Sequence, residues 1–269
     1  MFKTLKRLVG TVAPGAYVAL RRLRRSGRTV DRLNRRVGEL AMWTVTGGPF
    51  AGMRYVREAC GSALAPKLLG AYELEIQPWV HQAIRTRPPL VIDVGAAEGY
   101  YAVGLARAMA SAHVLAYDID PVARHLCRAM ARMNAVEDRV QVEAACTCEV
   151  LRSLDLRGAL LIVDCEGYET ELLDPVKVPG LAAVTILVEL HDCYVRGVTD
   201  LVLSRFRATH TAEIVHAQIR DARAFTMPPQ LSGPERVLAV DEERRAGLDR
   251  LPQRWALLVP ASRSQEPAR

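Results

Sequence analysis

The chain has 269 residues, half of them hydrophobic, enough to bury a sizeable core as one domain with extensions. It contains no uninterrupted apolar run of the eighteen or so residues that a membrane span requires. The formal net charge of +6 is unevenly placed: residues 1–36 hold eleven Lys and Arg against Asp31 alone, leaving 25 basic and 29 acidic side chains for residues 37–269.

In chain order, "MFKTLKRLVGTVAPGAYVALRRLRR" spaces Phe2, Leu5, Val9 and Val12 as one apolar helical face with a basic flank, interrupted by Pro14 and Gly15. A signal peptide is disfavoured, because Pro and Gly fall inside the apolar part and arginines stand where cleavage should occur. Residues 1–36 therefore read either as a helix on an anionic membrane surface or as a solvated, disordered tail. Residues 37–88 read as an extension capping the site. Within it, "WTVTGGPFAGMRY" is expected to form two short strands around Gly47 and Gly48. "ELEIQPWVHQAI" is expected to be an amphipathic helix, ended by Pro88 and Pro89.

After the prolines the pattern alternates. Strands are expected at 90–95 (LVIDVG), 113–120 (HVLAYDID), 140–146 (VQVEAAC), 159–167 (ALLIVDCEG), 184–192 (VTILVELHD), 212–220 (AEIVHAQIR) and 255–260 (WALLVP). Helical stretches separate them, one from Tyr100 to Ala110, one starting at Pro121 and one in "GPERVLAVDEERRAG". This is the signature of an α/β, doubly wound, mostly parallel seven-stranded Rossmann-like sheet over residues 89–262, with 263–269 as a short C-terminal tail.

Ligands of such sheets bind beyond the carboxyl ends of the strands. Here those ends carry Asp93 to Gly99, Asp118 and Asp120, Cys146, Asp164 and Glu166, and Glu189, His191 and Asp192. So many carboxylates would repel phosphates. Gly95-Ala-Ala-Glu-Gly99 is followed by Tyr100 where a dinucleotide fingerprint needs a third small residue, and no P-loop lysine follows. A glycine turn among acids suits a cationic cofactor without phosphate, and S-adenosylmethionine (SAM) meets that description. Asp118, 25 residues after Asp93, has the spacing of an acid that accepts hydrogen bonds from ribose hydroxyls. Asp120, before Pro121, reads instead as a helix cap.

"VIDVGAAEGYYAVGLA", "AYDIDP", "LIVDCEGYETELLD" and "ILVELHD" resemble the successive motifs of FkbM-type SAM-dependent methyltransferases, over roughly residues 70–260. The Asp-x-Glu-Gly-x-Glu element at 164–169 with the following Glu-x-His is the specific part. Gly95-Ala96-Ala97 departs from the family's usual Gly-Ala-Asn, which removes a side-chain contact from position 97. The resemblance implies that Asp93, Gly95, Ala96, Glu98, Gly99 and Tyr100 border the methionine part of the cofactor. It also implies that Asp118 borders the ribose, and that Ile119, Cys146 and Asp164 complete the cofactor site. "GAYE" at 70–73 resembles a segment that closes over the site, placing Tyr72 and Glu73, with Glu166 and Asp192, near the acceptor. The implied activity is O-methylation of a saccharide, glycan or polyhydroxylated natural product.

His191 is the expected general base, since its ordinary pKa lies near neutrality, with Asp164 and Glu189 orienting it or the acceptor. The alternative is that Asp164, Glu189 and His191, with Asp192 a further candidate, hold Mg²⁺ or Mn²⁺, which favour oxygen-rich sites. Bland readings stand beside these: a structural histidine at 191, and Glu166 and Glu169 as first-turn helix acids. Cys165, between two acids, is no nucleophile. The six cysteines show no C-x-x-C pair or dense framework, and reduced thiols in a cytoplasmic protein are the expectation; the Arg and Ala richness suggests a GC-rich bacterial coding sequence. The rival class is a non-catalytic binding protein whose basic tail contacts a membrane, at its inner face, or a partner. Nucleic acid is disfavoured as substrate, because Asp-Cys-Glu-Gly stands after the fourth strand where base methyltransferases carry an Asn-Pro-Pro-Tyr-like loop.

Overall fold

The computed structural model describes residues 29–242 and 253–261. The periodic run at 2–12, the tail at 263–269 and the last five residues of "GPERVLAVDEERRAG" lie outside the described residues.

Seven strands form one sheet: β1 (Leu90–Val94), β2 (His113–Tyr117), β3 (Val140–Glu143), β4 (Leu160–Val163), β5 (Thr185–Glu189), β6 (His210–His216) and β7 (Arg254–Pro260). Their order is β3-β2-β1-β4-β5-β7-β6. β1 to β5 run parallel, while β7 is antiparallel to both β5 and β6. β4, Leu-Leu-Ile-Val, is buried along its whole length, as expected of a strand covered on both faces. Alternation of side chains divides the core in two. Val91, Leu160, Ile162 and Leu187 face one apolar cluster. Ile92, Leu161, Val163 and Ile186 face the other.

Nine helices flank the sheet among the described residues: α1 (Thr29–Leu40), α2 (Leu64–Leu69), α3 (Gln77–Thr86), α4 (Tyr100–Ala108), α5 (Pro121–Met133), α6 (Cys148–Ser153), α7 (Glu169–Leu172), α8 (Val198–Phe206) and α9 (Gly233–Ala239). Asp120 caps α5 as read from the sequence, its Oδ1 accepting the Val122 N–H at 2.8 Å. The chain reverses direction across the sheet between β1 and β4. This is the doubly wound class I methyltransferase arrangement, and the switch point where such sheets bind ligands lies at the carboxyl ends of those two strands.

Two expectations need correction. "WTVTGGPFAGMRY" forms a single antiparallel bridge, Thr44 to Arg54, rather than paired strands. Its turns at Gly48 and Gly52 consume residues that strands would have used, and Val45, Phe50, Met53 and Tyr55 are drawn inward as core. Residues 29–40 are one continuous helix that runs through the expected boundary at 36, because Leu33 and Val37 give it an apolar face to bury. Asn34 Oδ1 accepts the Ala65 N–H at 3.1 Å, tying that helix to the start of α2.

Candidate active site

A cleft of about 890 Å³ opens at the carboxyl ends of the strands. Its floor is the turn after β1. Gly95 has φ +87°, and a Cβ there would fall 1.6 Å from the Asp164 carbonyl oxygen, so only glycine lets β1 and β4 close up at the switch point. The N–H groups of Gly95 and Ala96 both donate to the Tyr117 carbonyl at the end of β2.

The acid side chains divide by partner. Asp118 Oδ2 accepts the Ala97 N–H at 2.8 Å and Oδ1 accepts that of Asp120 at 2.8 Å. Each oxygen keeps a lone pair for a further donor, as an acid holding a ribose needs. Ile119 beside it is 81% exposed, an apolar surface held open on the cleft wall. Asp93 is buried and lines the cleft, yet its Oδ2 has no hydrogen-bond partner among the described residues. Burial first, and then the charge of Asp164, lift its carboxyl to about 7. A buried acid with an open lone pair fits a cationic ligand group, and SAM carries two. Cys146 closes the far wall, its thiol pushed up to about 12 by burial.

His191, 3% exposed, also lines the cleft. Its Nδ1 is 2.6 Å from Glu169 Oε1. A carboxylate only accepts, so Nδ1 carries the proton and Nε2 is left facing Asp164 Oδ1 at 3.4 Å and Glu189 Oε2 at 3.7 Å. Burial by itself pulls the imidazole down. The Glu169 hydrogen bond and the charges of Asp164, Glu169 and Glu166 outweigh it, and the net shift is upward. Asp164 is held above the ordinary carboxylate range, chiefly by burial. One ligand atom from each of Asp164, Glu189 and His191 lies within 4.8 Å of the others, a set that could hold a divalent cation.

The segment 60–73 also contributes to the lining. Tyr72 and Glu73 line the cleft, and Tyr101 donates its hydroxyl to Glu73. Lys67 also reaches the cleft, its ammonium 2.6 Å from Glu98 Oε1 and 2.7 Å from Ser62 Oγ. Glu166, at φ +57°, and Tyr168 lie on the outer lining.

Most of the residues expected from the sequence thus converge: Asp93, Gly95, Ala96, Tyr100, Asp118, Ile119, Cys146, Asp164, Glu189 and His191, with Tyr72, Glu73 and Glu166. Three do not. Glu98 is fully buried behind the turn, accepting from Tyr55, Lys67 and the Cys60 N–H, so it anchors the extension instead of bordering a ligand. Gly99 starts α4 against Cys127, where a Cβ would meet the sulfur at 2.8 Å. Asp192 accepts from Thr199 at the start of α8 and pairs with Arg254 at 3.2 Å, which turns it away from the cleft. Sequence reasoning passed over Glu169 as a helix acid. Its signal was positional, three residues after Glu166 in a motif already tied to His191. Lys67 went unremarked, although it is one of only four lysines and stands in an otherwise apolar stretch.

Residues 77–156 match the family model described as ribosomal protein L11 methyltransferase (PrmA), a span that runs from α3 through β1, β2 and β3 into α6. No curated protein matches the chain. Among solved structures, a candidate O-methyltransferase from Klebsiella pneumoniae aligns at 14% identity over 87% of this chain and 91% of its own, with TM-score 0.48. The Bacillus cereus O-methyltransferase in complex with SAH aligns at 11% identity over 96% and 100%, with TM-score 0.46. TomG from Streptomyces achromogenes, an O-methyltransferase of tomaymycin synthesis in complex with SAM, aligns at 11% identity over 86% and 90%, also with TM-score 0.46. The strand order is that of the class I SAM-dependent methyltransferase fold, and the segment matched by the methyltransferase model contains the glycine turn and Asp118.

Proposed function

We propose that the protein is an O-methyltransferase acting on a hydroxyl of a saccharide or other polyhydroxylated metabolite. The observation that carries the reading is His191, held by Glu169 through Nδ1 so that Nε2 faces the same cleft as the glycine turn. SAM, when bound, supplies an electrophilic methyl group. Methyl transfer to an alcohol needs an acceptor oxygen aligned with that carbon and a base for its proton. His191 Nε2 takes the proton, and Glu169 stabilises the imidazolium that results. Asp164 and Glu189 accept hydrogen bonds from neighbouring hydroxyls, a role that suits an acceptor with several of them. The motif resemblance over residues 70–260 supports the substrate class.

A second reading has its own support in the proximity of Asp164, Glu189 and His191. These residues would hold Mg²⁺ or Mn²⁺, and such an ion supplies Lewis acidity at the acceptor oxygen. Incubating the protein with methyl-labelled SAM and a panel of glycosides, polyols and phenols tests both readings. Transfer to the sugar hydroxyls, unchanged by chelator, is expected. His191→Ala should lower kcat about 100-fold or more with little change in SAM affinity. Glu169→Gln should move the acidic limb of the pH profile downward, since its carboxylate helps hold the His191 pKa up. Full activity in His191→Ala would sink the base assignment, and loss of activity on chelation restored by Mg²⁺ would favour the metal reading.

A further inference from the structure

The cleft lining is heavily acidic, and Lys67 is the single lysine or arginine in it among the described residues. The side chain is 3% exposed and comes from α2, outside the seven-stranded domain. Glu98 and Ser62 take two of its N–H groups, and the third has no oxygen partner among the described residues. The ammonium lies over the rings of Tyr72, at 4.7 Å, and Tyr100, at 5.6 Å, both of which line the cleft. The Tyr100 hydroxyl is itself buried without a hydrogen-bond partner among the described residues. Asp93 lines the same cleft with an open Oδ2.

The amino-acid end of SAM is a zwitterion, and its carboxylate would be repelled by every other charged group named in the lining except an imidazolium. We propose that Lys67 anchors the methionine carboxylate of the cofactor while Asp93 takes the ammonium, so that α2 of the N-terminal extension is part of the cofactor site. Glu98 then has a defined purpose: from behind the glycine turn it fixes the lysine in place, and Tyr55 and the Cys60 N–H fix Glu98. The inference rests on the SAM reading and adds to it a residue outside the sheet.

Decarboxylated SAM keeps the sulfonium and the amine and lacks only the carboxylate, so it isolates the contact. Calorimetry on the full chain should show SAM binding about tenfold or more tighter than the decarboxylated form, the worth of one charge-assisted hydrogen bond. Lys67→Met alone leaves Glu98 buried and uncompensated, so the variant of choice is Lys67→Met with Glu98→Gln. It should bind both compounds within about twofold of each other, with affinity for the decarboxylated form close to wild type. Lys67→Arg, which keeps the charge and folds with Glu98 intact, should retain a preference for SAM. Equal binding of the two compounds by the wild type, or a preserved preference in the double variant, would overturn the role of Lys67 and leave the methyltransferase reading standing. Failure of the wild type to bind SAM at all would overturn both.

Discussion

Asp93 shows how one side chain ties stability to ligand binding. Its carboxyl sits at about 7 in the fold against an ordinary 3.8, so the native state holds the proton longer than the unfolded chain does. The stability linked to that proton is fully present below about pH 4 and is lost as pH rises through 7, on the order of 4 kcal/mol in all. Asp93→Asn should therefore raise the thermal midpoint of the cofactor-free protein at pH 8 by roughly 5 °C or more. The same change should weaken SAM about tenfold or more, by removing the negative partner of a cationic group. A variant less stable than wild type at pH 8 would show that the carboxylate is compensated in the native state. Asp93, Gly95 and Asp118 were legible from sequence because the strand-end rule needs only local pattern and spacing. Glu98 was not, because the buried partners that claim it, Tyr55 and Lys67, lie 43 and 31 residues away.

At the scale of elements, β4 and β5 were legible because burial on both faces leaves Val, Ile and Leu runs, whereas β3, Val-Gln-Val-Glu at the sheet edge, was legible from its alternation of buried and exposed residues. The antiparallel pairing of β7 with β5 and β6 was not, since an apolar strand does not state its direction. The extension was read least well. Its order comes from long-range ties, chief among them Arg220, which follows β6. The buried guanidinium pairs with Glu75 at 2.6 Å and Glu242 at 2.7 Å and donates to the Ala71 carbonyl at 3.1 Å. Glu242 Oε1 in turn accepts the Glu73 N–H at 3.2 Å. The segment 71–75, which supplies Tyr72 and Glu73 to the cleft, is thus clamped to the chain on either side of α9. Arg220→Met would remove the cation that Glu75 and Glu242 both pair with, a loss of about 3–5 kcal/mol. The melting midpoint should fall by roughly 10 °C, and SAM should bind more weakly as the segment loosens. Adding Glu75→Gln and Glu242→Gln should recover much of the midpoint, because the desolvated charges are then gone. A midpoint unmoved by Arg220→Met would mean that packing alone holds the segment.

Over the whole molecule, the basic run overlaps the core, because the helix that carries its last arginines is packed. Residues 1–28 contain eight Lys and Arg and no acid, and α1, described from Thr29, buries Leu33 and Val37 against the body. The basic count runs on through Arg32, Arg35 and Arg36, so charge alone placed the boundary at 36, and Arg36 pairs with Glu235 of α9 at 2.8 Å. The apolar stripe of α1 interleaves with those arginines, which is how a packed helix can read as a tail. Two truncations separate the parts. One removes residues 1–28, which carry much of the excess charge, and keeps Leu33 and Val37. Removal of 1–40 should cost several degrees, because the Leu33 and Val37 contacts and the Asn34 bond to Ala65 are lost. The shorter truncation also tests the proposed membrane contact, since each basic residue near an anionic surface contributes about 1 kcal/mol. The full chain should float with phosphatidylglycerol vesicles at low salt and be released as salt rises past the point where the Debye length falls below about 8 Å, while the chain lacking 1–28 should stay in the unbound fraction. Equal flotation of the two would remove lipid from the role of the tail and leave its charge to a protein partner.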